Sequence, residues 1–142
     1  MFIGRGFALC LDETRRNYVM YRLATAKENL VSAMVLYDND QLKSAANRAY
    51  YCVFHSMRAV LAIEGVDFKR HSGVIAHFRK EYIKTGIFNK KLSVIIQMTS
   101  MVRESSDYDD FYIISRDDAK RQLDDAEVFY REIEKYVTEL LS

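Results

Sequence analysis

No proline occurs anywhere in the 142 residues, and only five of them are glycine. That shortage constrains the fold more than any motif does. Hairpin turns draw on proline's preset φ and on glycine's freedom at positive φ, so this chain has little material for many short strands. Helix interiors need neither residue and are weakened by both. The expected fold class is therefore all-α. Hydrophobic residues make up 49% of the chain and charged residues 29%, which supplies a core and departs from a disordered composition. A chain of this length is one domain, able to bury roughly 68–70% of its unfolded surface without staples.

Periodicity places the helices. Val19, Leu23, Ala26, Leu30, Ala33 and Tyr37 recur at threes and fours, predicting a first helix over about 13–37. Asp-Asn-Asp-Gln at 38–41 reads as a turn and a cap, because such side chains compete for backbone hydrogen bonds. A second helix, to about 63, turns Leu42, Ala45, Ala49, Val53, Met57 and Val60 to the core and ends at Gly65. A shorter third spans about 72–85 and stops at Gly86; a fourth, about 90–106, carries Leu92, Ile95, Ile96, Thr99 and Val102. The fifth starts at Ser115, whose hydroxyl can cap free amides, with Asp117 and Asp118 suiting the positive helix end. Its stripe is Ala119, Leu123, Ala126, Tyr130, Ile133, Val137 and Leu140. Short connections favour antiparallel neighbours, so the expected architecture is an antiparallel up-and-down bundle of four long helices plus one short helix. Residues 1–12 stand apart as an N-terminal arm, leaving 13–142 as the helical domain.

Twenty-one Lys and Arg against twenty Asp and Glu give a net charge of +1. RNA contact therefore has to come from local clustering of basic residues. Cys10 and Cys52 fit neither a disulfide framework nor a zinc site and read as small apolar residues in a reducing compartment. No apolar run approaches the ~18 residues of a membrane span. The opening MFIGRGFALCL lacks the basic start and small-residue cleavage site of a secretion signal. A cytoplasmic protein with no membrane partner is expected.

Three clusters carry potential chemistry. On the second helix Arg48, Tyr51, His55 and Arg58 are spaced three, four and three, which puts them on one strip about 80° wide. Two guanidiniums, a phenol and an imidazole on one face can clasp a phosphate. The plainer alternative has Arg48 paired with an acid on a neighbouring helix and Tyr51 and His55 lining a half-buried boundary. The second cluster closes the fourth helix: Arg103, Asp107 and Tyr108 in MVRESSDYDDFY, where Arg103 and Asp107 can pair across one turn. The acidic run there lacks the alternating ligands and central glycine of a calcium loop, so no metal is expected. The third is Lys69, Arg70 and His71 just before Gly73, either an anion site at a helix start or a basic loop with Ser72 as cap. His77 reads as a surface or boundary residue. A Gly-rich phosphate loop, His-Glu-x-x-His, paired CxxC and the Gly-x-Ser-x-Gly elbow are all absent. Any chemistry is then cofactor-free acid–base work by His, Arg, Tyr or Asp.

The stretches SAANRAYYCVFHSMRAVLAIEGVDFKRHSGVIAHF, RESSDYDDF and DAKRQLDDAEVFYREIEKYV resemble the HEPN (higher eukaryote and prokaryote nucleotide-binding) domains, in their small stand-alone bacterial and archaeal branch. The likeness runs over about 15–137. It implies a helical homodimer that associates with RNA or nucleotide and works with a minimal nucleotidyltransferase protein, often as a toxin with its antitoxin. Many such proteins are metal-independent endoribonucleases. Their signature is an Arg, usually followed by a polar residue, with four to six residues between it and a His. The Arg stabilises phosphate charge and the His moves a proton during attack by the ribose 2′-hydroxyl.

Here the corresponding run is Arg103-Glu-Ser-Ser-Asp107-Tyr108, in which the Arg and the following polar residue are present and the His is not. Aspartates are ionised at neutral pH and phenols titrate near 10, so neither is a ready proton shuttle. Arg48 and His55 meet the spacing on the second helix instead. The resemblance thus makes Arg103 and Arg48 phosphate holders and His55 and His71 proton-transfer candidates. Asp107 and Tyr108 shape the site, and Tyr51, Arg58, Lys69 and Arg70 line an RNA path. In related pairs the nucleotidyltransferase modifies a tyrosine beside the signature, the neighbourhood of Tyr108 and Tyr112. Two rival readings stay open: a non-catalytic dimeric interaction module in which Arg103–Asp107 is structural, and a nucleotide sensor built on the KRHSG loop.

Overall fold

The computed structural model describes residues 11–142. Most of the predicted N-terminal arm, with Cys10, lies outside the described residues. Five helices make up the fold: α1 (Glu13–Asp38), α2 (Leu42–Glu64), α3 (His71–Phe78, continued by a π-helical turn Arg79–Ile83), α4 (Lys91–Tyr108) and α5 (Arg116–Leu141). The described residues contain no strand. None of the helices is long and apolar enough to cross a membrane.

Asp12 caps α1 by accepting the Arg15 amide at 2.7 Å, and Ser115 caps α5 by accepting the Asp118 amide at 3.1 Å. Each satisfies one amide that the first helical turn leaves without a partner. Gly65 closes α2 at φ 74°, in the left-handed region where a side chain would be strained. The turn at 38–41 differs from expectation. Its side-chain bond runs backwards, from Asn39 Nδ2 to the Val35 carbonyl at 2.8 Å, while Gln41, at the start of α2, makes no side-chain cap. Asp40 takes φ 60° to make the turn, and Arg116 at the start of α5 pairs with its carboxylate.

α2 is the central element and packs against all four other helices. More than half its residues are buried, and the buried set runs around the whole circumference, as a helix enclosed by neighbours requires. Its alanines at 45, 49, 59 and 62 let those neighbours approach closely. Val19, Leu23, Ala26, Leu30 and Ala33 of α1 and Ala119, Leu123, Ala126, Tyr130, Ile133 and Val137 of α5 are buried as their spacing predicts. Tyr37, Leu42, Val102 and Leu140 are half-buried and pack against that core.

Two local departures concern α3. Its helix begins at His71 with Arg70 as the uncapped flanking residue, so Ser72 is inside the first turn rather than before it. The α-helix also ends at Phe78, where five residues wind as a π-helix instead of continuing to Thr85. Phe78, Tyr82 and Ile83 are all buried. A wider turn narrows the angle between successive side chains, so all three reach the core from one face. The Tyr82 hydroxyl then donates to Glu64 Oε2 at 2.5 Å, and His77 Nε2 meets the same oxygen at 3.2 Å.

Candidate functional site

The adjacent tyrosines Tyr50 and Tyr51 of α2 form the platform of the site. The Arg103 guanidinium, from the end of α4, sits 5.1 Å from the Tyr50 ring centre and 5.6 Å from that of Tyr51. Such cation–ring contacts are worth roughly 0.5–2 kcal/mol each. His71, the first residue of α3, reaches the same platform, with Nδ1 2.8 Å from the Tyr50 hydroxyl and its ring stacked on Phe54 at 3.9 Å. Arg48 completes the group from below. It lies 4.8 Å from the Tyr51 ring and donates to Asn29 Oδ1 of α1 at 2.9 Å. Three helices thus bring two guanidiniums and an imidazole to one pair of phenols.

The charges are unevenly answered. Arg103 has Asp107 at 3.5 Å, one turn further along α4. Arg48 meets a neutral amide rather than the acid expected on a neighbouring helix. Burial works against the Arg103 charge, but Tyr51, Tyr50 and Asp107 outweigh it and hold its pKa above the ordinary value. Burial pushes the Tyr50 phenol up to about 12, against the pull of Arg103, so its proton stays on. Burial, then Arg103 and Arg58, lower the pKa of His71 and favour its neutral form.

The Phe54–His71 stack divides this platform from a second cleft of about 350 Å³ lined by Phe54, Arg58, Asp67, Phe68, Lys69 and His71. There Arg58 grips Asp67 with both arms, Nη2 to Oδ2 at 2.6 Å and Nε to Oδ1 at 3.3 Å. Much of its charge is therefore answered within the chain. Lys69 lines the same cleft, and Arg70 is exposed beside it. The Gly73 amide donates to the Arg70 carbonyl at 3.1 Å, which takes it out of the predicted anion site. His55 lies under Tyr51, ring centres 6.3 Å apart. Its Nδ1 is buried with no hydrogen-bond partner, and burial followed by Arg58, Arg22, His71 and Arg48 lowers its pKa to about 4.

The two tyrosines after the signature part company. Tyr108 is 88% exposed, whereas Tyr112 packs half-buried against Ala46, Ile114 and Ala119. Among the described residues no group of three or more His, Cys, Asp or Glu side chains is placed to hold a metal ion. Sequence reasoning missed Tyr50, Phe54 and Asn29. Asn29 did leave a signal: a lone amide beside the apolar stripe of α1, which on burial demands a partner. Tyr50 and Phe54 left none, because a buried aromatic reads as core whether or not a cation lies over its ring.

The pattern of a family profile described as the HEPN domain matches residues 19–136, a span that includes every member of the Tyr50–Tyr51 cluster. The chain belongs to the HEPN family. A relative named "UPF0332 protein" in Thermotoga maritima is 34% identical over 126 residues, covering 89% of this chain and 96% of the relative. A Methanocaldococcus jannaschii protein named "Putative toxin MJ0605" is 30% identical over 131 residues, covering 92% of this chain and 97% of that one. A second toxin-named protein of the same archaeon is 30% identical over 112 residues, 79% of this chain and 76% of its own length. The matched span takes in the stretches that carried the resemblance, 44–78, 103–111 and all but the last residue of 118–137, and the all-α bundle agrees with it. Arg103 lies in the last two turns of α4.

Proposed function

We propose that this HEPN protein binds RNA at the Tyr50–Tyr51 platform and cleaves it without a metal, as one half of a toxin-type pair with a nucleotidyltransferase. The observation that carries the reading is the meeting of Arg103 and His71 on Tyr50. No histidine follows Arg103 at the family spacing, while an imidazole from a different helix, that of His71, stands on the same platform as Arg103. Arg103 and Arg48 hold the scissile phosphate and offset the charge that builds on its oxygens. In the tautomer where His71 Nδ1–H donates to the Tyr50 oxygen, Nε2 is free to take the proton of the ribose 2′-hydroxyl. The 2′ oxygen bonds to phosphorus, the bond to the 5′ oxygen breaks, and the proton ends on that departing oxygen. The lowered pKa of His71 keeps it in the form that accepts a proton at neutral pH. His55, neutral down to about pH 4, has no proton to give there and serves as a support beneath Tyr51. Tyr108, exposed at the end of α4, is the accessible acceptor for modification by the partner, in preference to Tyr112.

A single assay tests the nuclease reading: cleavage of a mixed RNA pool in EDTA by the parent, Arg103→Ala, His71→Ala and His55→Ala. Loss of at least about 100-fold is expected for Arg103→Ala and His71→Ala, the range of a positioned charge or proton-transfer group, with a smaller loss for His55→Ala. One geometric fact favours a second reading, the non-catalytic dimeric module: the carboxylate of Asp107 already partners Arg103. Clean folded parent that leaves RNA intact overturns the nuclease and establishes the module.

A further inference from the structure

A groove runs between α3 and α4. At one end the π-helical turn and the start of α4 surround a depression of about 570 Å³ with Arg79, Lys80, Lys84 and Lys90, alongside Ala76, Ile83 and Ser93. Arg79 is fixed there, donating from Nε to Ser93 Oγ at 3.0 Å and from Nη2 to the Ser93 carbonyl at 3.1 Å. None of Lys80, Lys84 and Lys90 has a carboxylate within ion-pair distance among the described residues. In a chain whose total charge is +1, this is a concentrated and unanswered positive field.

The depression continues into a second one through the shared residues Ala76, Arg79 and Ser93. That second part extends to Ser72, Gln97, Ser100 and Glu104. Ser72 follows His71 and Glu104 follows Arg103, so the groove ends beside the Tyr50–Tyr51 platform. From Ser93 to Arg103 along α4 is about 15 Å. Ile75, Ile96 and Met101 give this stretch an apolar floor, with Ser72, Gln97, Ser100 and, at the platform end, the Glu104 carboxylate as its polar groups. The Ser100 hydroxyl oxygen is buried without any hydrogen-bond partner, an unmet polar group of the kind a ligand satisfies.

We infer that the α3–α4 groove is an RNA track: a single strand leaving the Arg103 platform lies along it, and its phosphates reach Lys80, Lys84 and Lys90. An uncompensated basic cluster at the end of a groove with an apolar floor fits a sugar–phosphate chain read by charge and not by sequence. The track rests on the reading that the platform takes RNA, and it adds the direction in which the strand leaves.

The test measures binding of a fluorescein-labelled 12-nucleotide 2′-O-methyl RNA, which lacks the attacking hydroxyl, from 50 to 200 mM salt. Parent, Arg103→Ala and the triple variant Lys80→Ala/Lys84→Ala/Lys90→Ala are compared, with circular dichroism and thermal melting as folding controls. Single Lys→Gln variants replace the triple if it melts early. A single strand contributes a slope of about 0.7 per phosphate contact, so loss of three contacts makes the plot of log affinity against log salt shallower by about 2. That result supports the track. An unchanged slope in the triple variant overturns it, whatever Arg103→Ala does. A shallower slope in the triple with unchanged binding by Arg103→Ala keeps the track and removes the platform reading. No binding by folded parent overturns the track.

Discussion

His55 concentrates two opposing demands on a single side chain. It is half-buried on α2, and four cationic or titratable neighbours, Arg58, Arg22, His71 and Arg48, add to burial in disfavouring its charge. An unfolded histidine titrates near 6.5; in the fold this one titrates at about 4. Between those values the unfolded chain binds more protons, so stability rises with pH from about 4 to 6.5 and is lost as acid is added. Above about 6.5 the contribution is complete. After allowance for solvent screening it is on the order of 1–2 kcal/mol, and His71, shifted the same way, adds to it. Urea unfolding at pH 7 and pH 4.5 checks this. His55→Gln is expected to flatten the difference, and an equally steep loss in the variant would show that His55 does not titrate as described. The same residue shows what a spacing rule leaves out. Arg48 and His55 satisfy the family spacing on paper, yet the ring's Nδ1 is buried without a partner while His71 meets Arg103 across the platform.

At the scale of the element, helix faces were more legible than helix ends, though two ends follow residue type. Asp12 and Ser115 each accept a first-turn amide N–H on a side-chain oxygen, a role that both residue types favour at a helix start. Ser115→Ala is expected to cost about 1 kcal/mol, read as a lower urea midpoint at unchanged slope, because α5 packs along the central helix and cannot fray freely. A change within error would mean that the packed face, not the cap, fixes where α5 begins. The π-helical turn was not legible. Nothing in Arg-Lys-Glu-Tyr-Ile marks it, since the wider winding is imposed by three side chains that all have to reach the core. For the same reason Ser72 reads as a cap in sequence but lies within α3. The backbone turn Arg70 makes to lay His71 on Phe54 sets the start of that helix.

Across the whole molecule, the central helix makes one thiol a reporter of global unfolding. Cys52 is fully buried, 3.9 Å from the Ala126 carbonyl of α5, and burial pushes its pKa up to about 12. Only a thiolate reacts readily. In a Cys10→Ala variant the remaining thiol is expected to react with a maleimide or disulfide reagent only as the domain unfolds, with labelling following the denaturant midpoint. Fast labelling of folded protein would show local opening between α2 and α5. The arrangement that protects Cys52 also builds the platform: an α2 wrapped on every side positions Tyr50 and Tyr51 where the start of α3 and the last turns of α4 both reach them.

The sequence by itself determined the five helices, their core stripes, the Ser115 cap, the Gly65 stop and the family likeness, because these depend on residue type, period and order along the chain. It also put Arg103 at the end of the fourth helix and showed that no histidine follows it. Only the tertiary structure decided which residues stand together. Arg103 and His71 are 32 positions apart, and no period relates them; they meet because α3 and α4 both pack on one face of α2. The lysine groove has the same origin, since charges spread over 79–90 become a single field only when a π-turn and the start of a neighbouring helix curve around one depression.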